Sequence, residues 1–414
     1  MATIRPFRPF RYTPEAGPIA ELVAPPYDVI SEPERARLRT LREAGAIHVI
    51  LPLGEEKYRT AADLLETWKA AGLIAQEDKP AMYLYSQGFE INGETFVRWG
   101  LLTSLQLEEF DDRIVLPHER TLDGPKADRM QLIRACETNL SPIFTFIDKS
   151  LGLAGMTDRG EQIVDFTDEA GVTQRVWRLT DESLMAELME KISSEPVYIA
   201  DGHHRYETSL AYRNERRNEA GAPTDPQPYD FVLTHMCSTK DPGLVVLPTH
   251  RLLADPAPHG ELLANWEANC KITAFDDAMA LWTALGVGPV GERVPRLGIL
   301  RRGVPGGLLL EPGDGARKHL DTRPPSLSAL DVTFLHEVVL DGVAPDRFKY
   351  THDEHETITA VEKGETELAV LLPPPGVDDV LAIARDELTM PQKSTYFYPK
   401  VLSGLAYNPI GRKD

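Results

Sequence analysis

Cysteine is scarce: Cys136, Cys237 and Cys270 are the only three in 414 residues. They are far apart and odd in number, with no CxxC pair, so no disulfide framework is available and a reducing cytoplasm suits them. No catalytic motif surrounds any of them, and all three are expected to be structural. Long apolar runs are also lacking. No stretch approaches the roughly 20 apolar residues of a membrane helix. The opening MATIRPFRPFRYTPEAG is broken by prolines and has no apolar core of signal-peptide length. Basic residues are short as well, with 44 Lys and Arg against 64 Asp and Glu, a formal charge of −20. Nucleic-acid binding needs a surplus of cations to neutralise phosphates, so DNA or RNA is not expected as the main partner. A soluble cytoplasmic protein with no membrane contact is the expectation, its oligomeric state open. Without a Gly-x-Ser-x-Gly elbow, serine hydrolase chemistry has no anchor.

What is present reads as mixed α/β. The chain is long enough for two or three domains with real cores. Ser31 and Glu34 stand at capping-box spacing before EPERARLRTL, and Gly45 is placed to end that helix. AIHVILPL (46–53) reads as a strand. YRTAADLLETWKAAG follows as a helix with Ala61, Leu64, Leu65 and Trp68 on one face. Asn92-Gly93 between two alternating runs predicts a hairpin with a type I′ turn. Further expectations are a helix from about Pro125 to Thr138, a strand at Pro142–Ile147, a small hairpin near 155–175 and a helix in DESLMAELMEKIS. YDFVLTHMCS and GLVVLP read as buried strands. Beyond them, ELLANWEAN, RLGILRRG, LSALDVTFLHEVVL, ELAVLLPPP and VDDVLAIARDEL alternate helix and strand. Gly/Pro-rich stretches at 286–297 and 303–325 read as linkers or excursions. The division expected is 1–110, 111–255 and 256–414.

The chemistry concentrates in PVYIADGHHRYETSLAYRNE (196–215). Pro196–Ala200 has strand character, and a helix is expected over Arg205–Glu219. The turn Asp201-Gly202-His203-His204 then stands at a helix N-terminus, where free N–H groups and the dipole favour an anion. Gly202 permits close backbone approach. His203, His204 and Arg205 add donors, and Arg205 suits phosphate oxygens through its planar fork. Asp201 could orient a histidine, hold Mg²⁺ or contact a substrate amine, although Asp is also a common N-cap. In TLDGPKADR, Lys126 and Arg129 could neutralise a second phosphate, with Asp128 orienting Arg129; a solvated first turn reads the sequence as well. Lys393, in MPQKSTYFYPK, could reach an anion from a rigid extended segment, yet no Gly-rich loop precedes it, so a P-loop is rejected. His250-Arg251 is expected as a helix cap or surface pair. His352 and His355 stand three apart among acids without a zinc signature, and an exposed helix face is expected. No metal ligands are assigned.

ADGHHRYET, together with APPYDVIS (24–31), LPHERTLDGPKADRMQLIRA (116–135), NLSPIF (139–144), DPGLVVLPTHR (241–251) and MPQKSTYFYPKVLSGL (390–405), resembles the domain of unknown function 1015 family over almost the whole chain. DGHHRY is similar, more distantly, to the phosphate-binding box of the ParB/sulfiredoxin superfamily, which includes free-serine kinases. That resemblance implies a ParB/sulfiredoxin-like core over 111–255 with N- and C-terminal α/β elaborations. It implies Glu119 as general base beside His118, Gly202, His203, His204 and Arg205 holding the transferring phosphate, and Asp201 positioning substrate or metal. ATP or ADP with Mg²⁺ would be the cofactor. The function implied is nucleotide-dependent phosphoryl transfer to a small hydroxylated metabolite such as serine. The alternatives are a phosphoester hydrolase with His203 or His204 as nucleophile or acid, and a nucleotide-gated binding protein without turnover.

Overall fold

The computed structural model describes the chain apart from Leu122, 255–258, 287–293, 345–346, Gln392 and 412–414. It is mixed α/β and divides into two compact units. One comprises Met1–Pro117, Thr121–Val245 and Pro399–Asp414; the other comprises His118–Arg120 and Val246–Tyr398.

The first unit opens with strand β1 (Ile4–Arg5) and helices α1 (Glu32–Leu41), α2 (Ile47–Ile50) and α3 (Lys57–Ala70). Ser31 caps α1 by accepting the Glu34 N–H at 3.3 Å, as its spacing predicts. The helix ends at Leu41, before Gly45 is reached. AIHVILPL contains a helical turn, α2, and no strand. A short apolar run fits a buried helix or a strand equally well, and here Ile47, Val49 and Ile50 are all buried, so alternation carried no information. In α3, Ala61, Leu65 and Trp68 face the core.

Strands β2 (Met82–Ile91) and β3 (Glu94–Gln106) form the predicted hairpin, with Asn92 at φ 52° and Gly93 at φ 79° in its turn. There follow β4 (Val115–Leu116), α4 (Asp123–Cys136), β5 (Ile143–Ile147), β6 (Glu161–Thr167), β7 (Thr173–Leu179), α5 (Glu182–Ser193), β8 (Val197–Asp201), α6 (His203–Glu219) and β9 (Phe231–Ser238). The sheet runs β4-β8-β5-β9-β3-β2-β7-β6, with β1 beside β3. The β4–β8 and β5–β9 pairs are parallel and the others antiparallel. The hairpin expected near 155–175 is β6–β7, joined to the edge of this sheet.

The two faces of the sheet differ. One carries Leu84, Leu101, Ile143, Ile199 and Val232, packed with Leu188 of α5 and Tyr206 of α6 in a single apolar core. Alternation sends Tyr85, Arg98 and His235 to the other face, where all three are equally buried. There the carbonyls of Pro399 and Lys400 accept hydrogen bonds from Arg98 and Gln87. A second chain segment thus covers a polar face of the sheet.

The second unit contains β10 (His250–Leu253), α7 (His259–Asn269), β11 (Cys270–Phe275), α8 (Ala278–Gly286), β12 (Leu297–Arg301), β13 (Gly307–Pro312), α9 (Asp314–Leu320), β14 (Phe348–Thr351), α10 (Glu354–Glu362), β15 (Leu368–Leu371) and α11 (Val377–Arg385). Its sheet, β11-β13-β12-β15-β10-β14, is antiparallel throughout. One apolar cluster joins Trp266 to Ile299 and Val370; another joins Leu281 and Val361 to Leu300 and Leu371. The stretch 303–325, expected as an excursion, supplies β13 and α9. Leu308–Leu310 fill the strand despite the surrounding glycines. Most of 286–297 lies outside the described residues.

Candidate functional site

Asp201 closes β8 after a break in register. Ile199 pairs with Thr145, and the next paired residue, Asp201, pairs with Phe144. Such a bulge inserts one residue and re-aims the next side chain. Without it, period-two alternation would place Asp201 with Ile199 on the apolar face. With it, Asp201 joins the face of Phe144 and His235, which pair with each other.

Gly202 follows at φ 88°, ψ 28°, and α6 begins at His203. The helix therefore starts two residues earlier than predicted, because the left-handed glycine is itself the cap. Both histidines lie in the first turn of α6, His203 buried and His204 half-buried. A side chain at residue 202 would also be crowded. A Cβ there would lie 3.0 Å from Nε and Cζ of Arg205, whose guanidinium curls back over the glycine. Arg205 donates to the Pro142 carbonyl and, through Nη2, to Asp201 Oδ2 at 3.3 Å. Lys400 Nζ stands 3.6 Å from the same oxygen. Burial pushes the Asp201 carboxyl up, but Lys400, Arg205, His203 and the Gly202 N–H outweigh it and bring it down to about 2.

Asp201 is the counter-ion of Arg205 and Lys400, a role the sequence reading did not include. As a Mg²⁺ ligand it fits poorly, since Oδ2 already faces two cations. Among the described residues no group of three or more His, Cys, Asp and Glu is arranged to hold a metal.

Beside this turn a cavity of ≈60 Å³ is lined by Tyr27, Arg129, Leu132, Leu140, Arg205 and Thr208, among others. Arg129, buried on α4, lies with Cζ 4.2 Å from the centre of the Tyr27 ring. It donates to the Ile50 carbonyl at 2.6 Å and, through Nε, to Asp128 at 3.0 Å. Asp128 thus orients Arg129. It also accepts from Lys57 Nζ at 2.7 Å and Tyr58 at 2.8 Å. Burial pushes the Asp128 carboxyl up, and Lys57, Arg129 and Tyr58 override it to about 2. The Tyr27 phenol is pushed up to about 12 by burial and Asp28, against the pull of Arg205 and Arg129. Lys126 is not among the cavity's lining residues. Its Nζ stands 3.2 Å from both Asp123 and Glu207.

His118, Glu119 and Lys393 belong to the second unit. His118 is fully buried, its Nε2 3.1 Å from Thr395 Oγ1. Glu119 Oε1 accepts the Lys393 N–H at 3.0 Å, and the Lys393 carbonyl accepts from Arg251 Nη2 at 3.0 Å. Lys393 sits at φ 58° with an exposed side chain. Glu119 also bridges to Met390, so His118 and Glu119 meet the chain around Met390, Lys393 and Thr395 within that unit. His250 and Arg251, expected as a cap or surface pair, are instead buried within β10. Burial lowers the His250 imidazole to about 3 and the Arg251 guanidinium to about 10. His355 is exposed, whereas His352 stacks on Tyr396 with ring centres 3.4 Å apart. Cys237 is buried and the other two cysteines are partly so. Burial raises all three thiols, to about 12 at Cys136 and Cys237 and about 11 at Cys270.

Sequence reasoning missed Lys400, Tyr27 and Arg98. Lys400 stood in a quoted motif, but the anion role went to Lys393. Arg98 lies in an alternating strand, where an arginine reads as solvent-facing. Its burial follows only from the segment laid over that face.

No curated protein matches the chain. Among solved structures it is similar to a conserved hypothetical protein from Pyrococcus furiosus, at 11% identity over 70% of this chain and 89% of that one, with a TM-score of 0.35. It is similar to a free serine kinase in complex with AMP, at 11% identity over 69% and 83%, TM-score 0.35. SbnI with a C-terminal truncation, from Staphylococcus aureus, is similar at 9% identity over 75% and 84%, TM-score 0.33. The family model described as "Protein of unknown function (DUF1015)" matches residues 4–361, and the chain belongs to that family.

Proposed function

We propose that the chain binds a nucleotide through its phosphates at Asp201–Arg205 and transfers a phosphoryl group to a small hydroxylated metabolite, with serine the first candidate. The observation that carries this reading is the gathering of Arg205 and Lys400 on one carboxylate at the left-handed start of α6. Phosphoryl transfer asks mainly for alignment and for positive charge held in place. Asp201 holds two cations in place through charge-assisted contacts. In this reading DGHHRY acts as a ParB/sulfiredoxin-type phosphate box, with Gly202, His203, His204 and Arg205 around the phosphate. Arg129 and Lys126 supply further positive charge along α4, and His118 and Lys393 accompany Glu119, the base that takes the hydroxyl proton. Mg²⁺ would arrive with the nucleotide's phosphates and supply charge neutralisation.

Thermal shift of the full chain with ATP, ADP, CTP and phosphoserine, each with and without Mg²⁺, tests the first half, because binding raises apparent stability by mass action. Radiolabel transfer from the stabilising nucleotide to serine tests the second. Transfer is expected to vanish in Glu119→Gln and to fall in Arg205→Lys. Undiminished transfer in Glu119→Gln removes the base assignment. Phosphate release from phosphoserine without nucleotide replaces transfer by hydrolysis.

A further inference from the structure

A second cleft, of ≈440 Å³, is lined by residues of the second unit alone. Its size falls within the roughly 300–1,000 Å³ of small-molecule sites. The lining comes from three places: the β12–β13 turn, α10, and the two aspartates that precede α8. The turn is fixed. A Cβ at Gly306 would collide with the Phe275 carbonyl oxygen at the end of β11, so turn and strand end are in close backbone contact. Within the turn, Val304 donates its N–H to the Arg301 carbonyl at 3.1 Å. Val304 is nevertheless 44% exposed and forms an apolar lip. On α10, Ile358 and Val361 are three apart and share a face, and each keeps a small accessible area, 8% and 7%. Charge of both signs surrounds this apolar floor. Asp276 and Glu362 are exposed and Arg301 is partly so, and none of the three makes an ion pair with a described residue. Asp277 differs, because its Oδ1 accepts the Ala280 N–H at 2.7 Å and caps α8. Among the described residues lining the cleft there is no hydroxyl, thiol, imidazole or amine, a composition for binding rather than for reaction. A lone exposed charge is well served by water. Unpaired charges of opposite sign around a fixed apolar cleft match a ligand that carries both charges on one carbon body.

We propose that this cleft binds an α-amino acid with a branched aliphatic side chain. The carboxylate lies on Arg301, whose planar fork suits it. The ammonium faces Asp276 and Glu362, and the side chain covers Val304, Ile358 and Val361. Leucine, with about nine non-hydrogen atoms, is small enough: at about 30 Å³ of liquid per water-sized group, ≈440 Å³ corresponds to about fifteen such groups. The site lies wholly within the second unit and does not rest on the function proposed above.

The test is calorimetric titration of the full chain with L-leucine, isoamylamine, 4-methylpentanoate and L-alanine, each separately. Leucine is expected to bind saturably. Isoamylamine, which lacks the carboxylate, and 4-methylpentanoate, which lacks the amine, are each expected to bind about tenfold more weakly or worse. Alanine keeps both charges and loses most of the apolar contact, so it too should bind about tenfold more weakly. Arg301→Met is expected to bring leucine down to the level of isoamylamine, with an unchanged urea midpoint showing the variant to be folded. Glu362→Gln, at an exposed position, is expected to weaken leucine several-fold and to leave 4-methylpentanoate as it was. Absence of leucine binding overturns the proposal. So does isoamylamine or alanine binding as tightly as leucine, or a leucine affinity untouched by both substitutions. Neither nucleotide nor serine enters the titration, so its outcome and that of the phosphoryl-transfer assay are independent.

Discussion

Gly202 meets two demands at once, a backbone at φ 88° and free space under the Arg205 guanidinium. An L side chain in the left-handed region costs about 1–2 kcal/mol. Gly202→Ala should lower unfolding stability by about that amount in urea denaturation. It should also weaken nucleotide binding, because Arg205 must move for the methyl group to fit. Asp201 gives a pH signature with a definite sign. Its folded value, about 2, lies below the ordinary 3.8. The stability it contributes is therefore fully present above 3.8 and is lost as pH falls through about 2. The gap is worth about 2 kcal/mol. Lys400→Met removes one of the two cations, so the variant should be less stable than the parent at pH 6, and the two should converge towards pH 2. Urea titrations across that range measure the difference.

At the scale of elements, α6 is the platform of the site, and Tyr206 is one of the residues that seat it. Tyr206 OH donates to the Glu108 carbonyl at 2.7 Å and accepts the Glu108 N–H at 2.9 Å. Tyr206→Phe leaves both backbone groups without that partner and should cost about 1–3 kcal/mol. Amide exchange in the first turns of α6 should quicken, with nucleotide affinity changed far less than stability. Elements with their own local chemistry were legible before the fold was known. The Asn92-Gly93 hairpin is one, because few residue pairs adopt two positive φ angles. The α3 stripe is another, as is the strand–glycine–helix run at 197–219. The turn at Ile47–Ile50 was not legible, since a buried apolar run has no preferred period. Nor was the bulge before Asp201, which leaves no mark in sequence and decides which face the carboxylate joins. Lys400 stood outside any local reading, because it meets Asp201 from about two hundred positions away.

For the molecule as a whole, charge decides what it meets. A net −20 repels phosphate backbones beyond the reach of a few local cations. No mobility shift of duplex DNA is expected at physiological salt, and retention of a duplex would count against a purely small-molecule role. Neither unit is one unbroken stretch of chain. The first resumes at Pro399 after the second has intervened, and the resumed stretch brings Arg98 and Gln87 their carbonyl acceptors and Asp201 its ammonium. During synthesis, then, the Asp201–Arg205 turn is made long before its lysine. A ribosome that has passed Arg205 holds the carboxylate, the glycine and the arginine, yet must translate an intervening body of some hundred and fifty residues before the pair can close. Until that moment Asp201 has only one of its two cations, and the stability that Lys400 lends the turn is missing from the nascent chain.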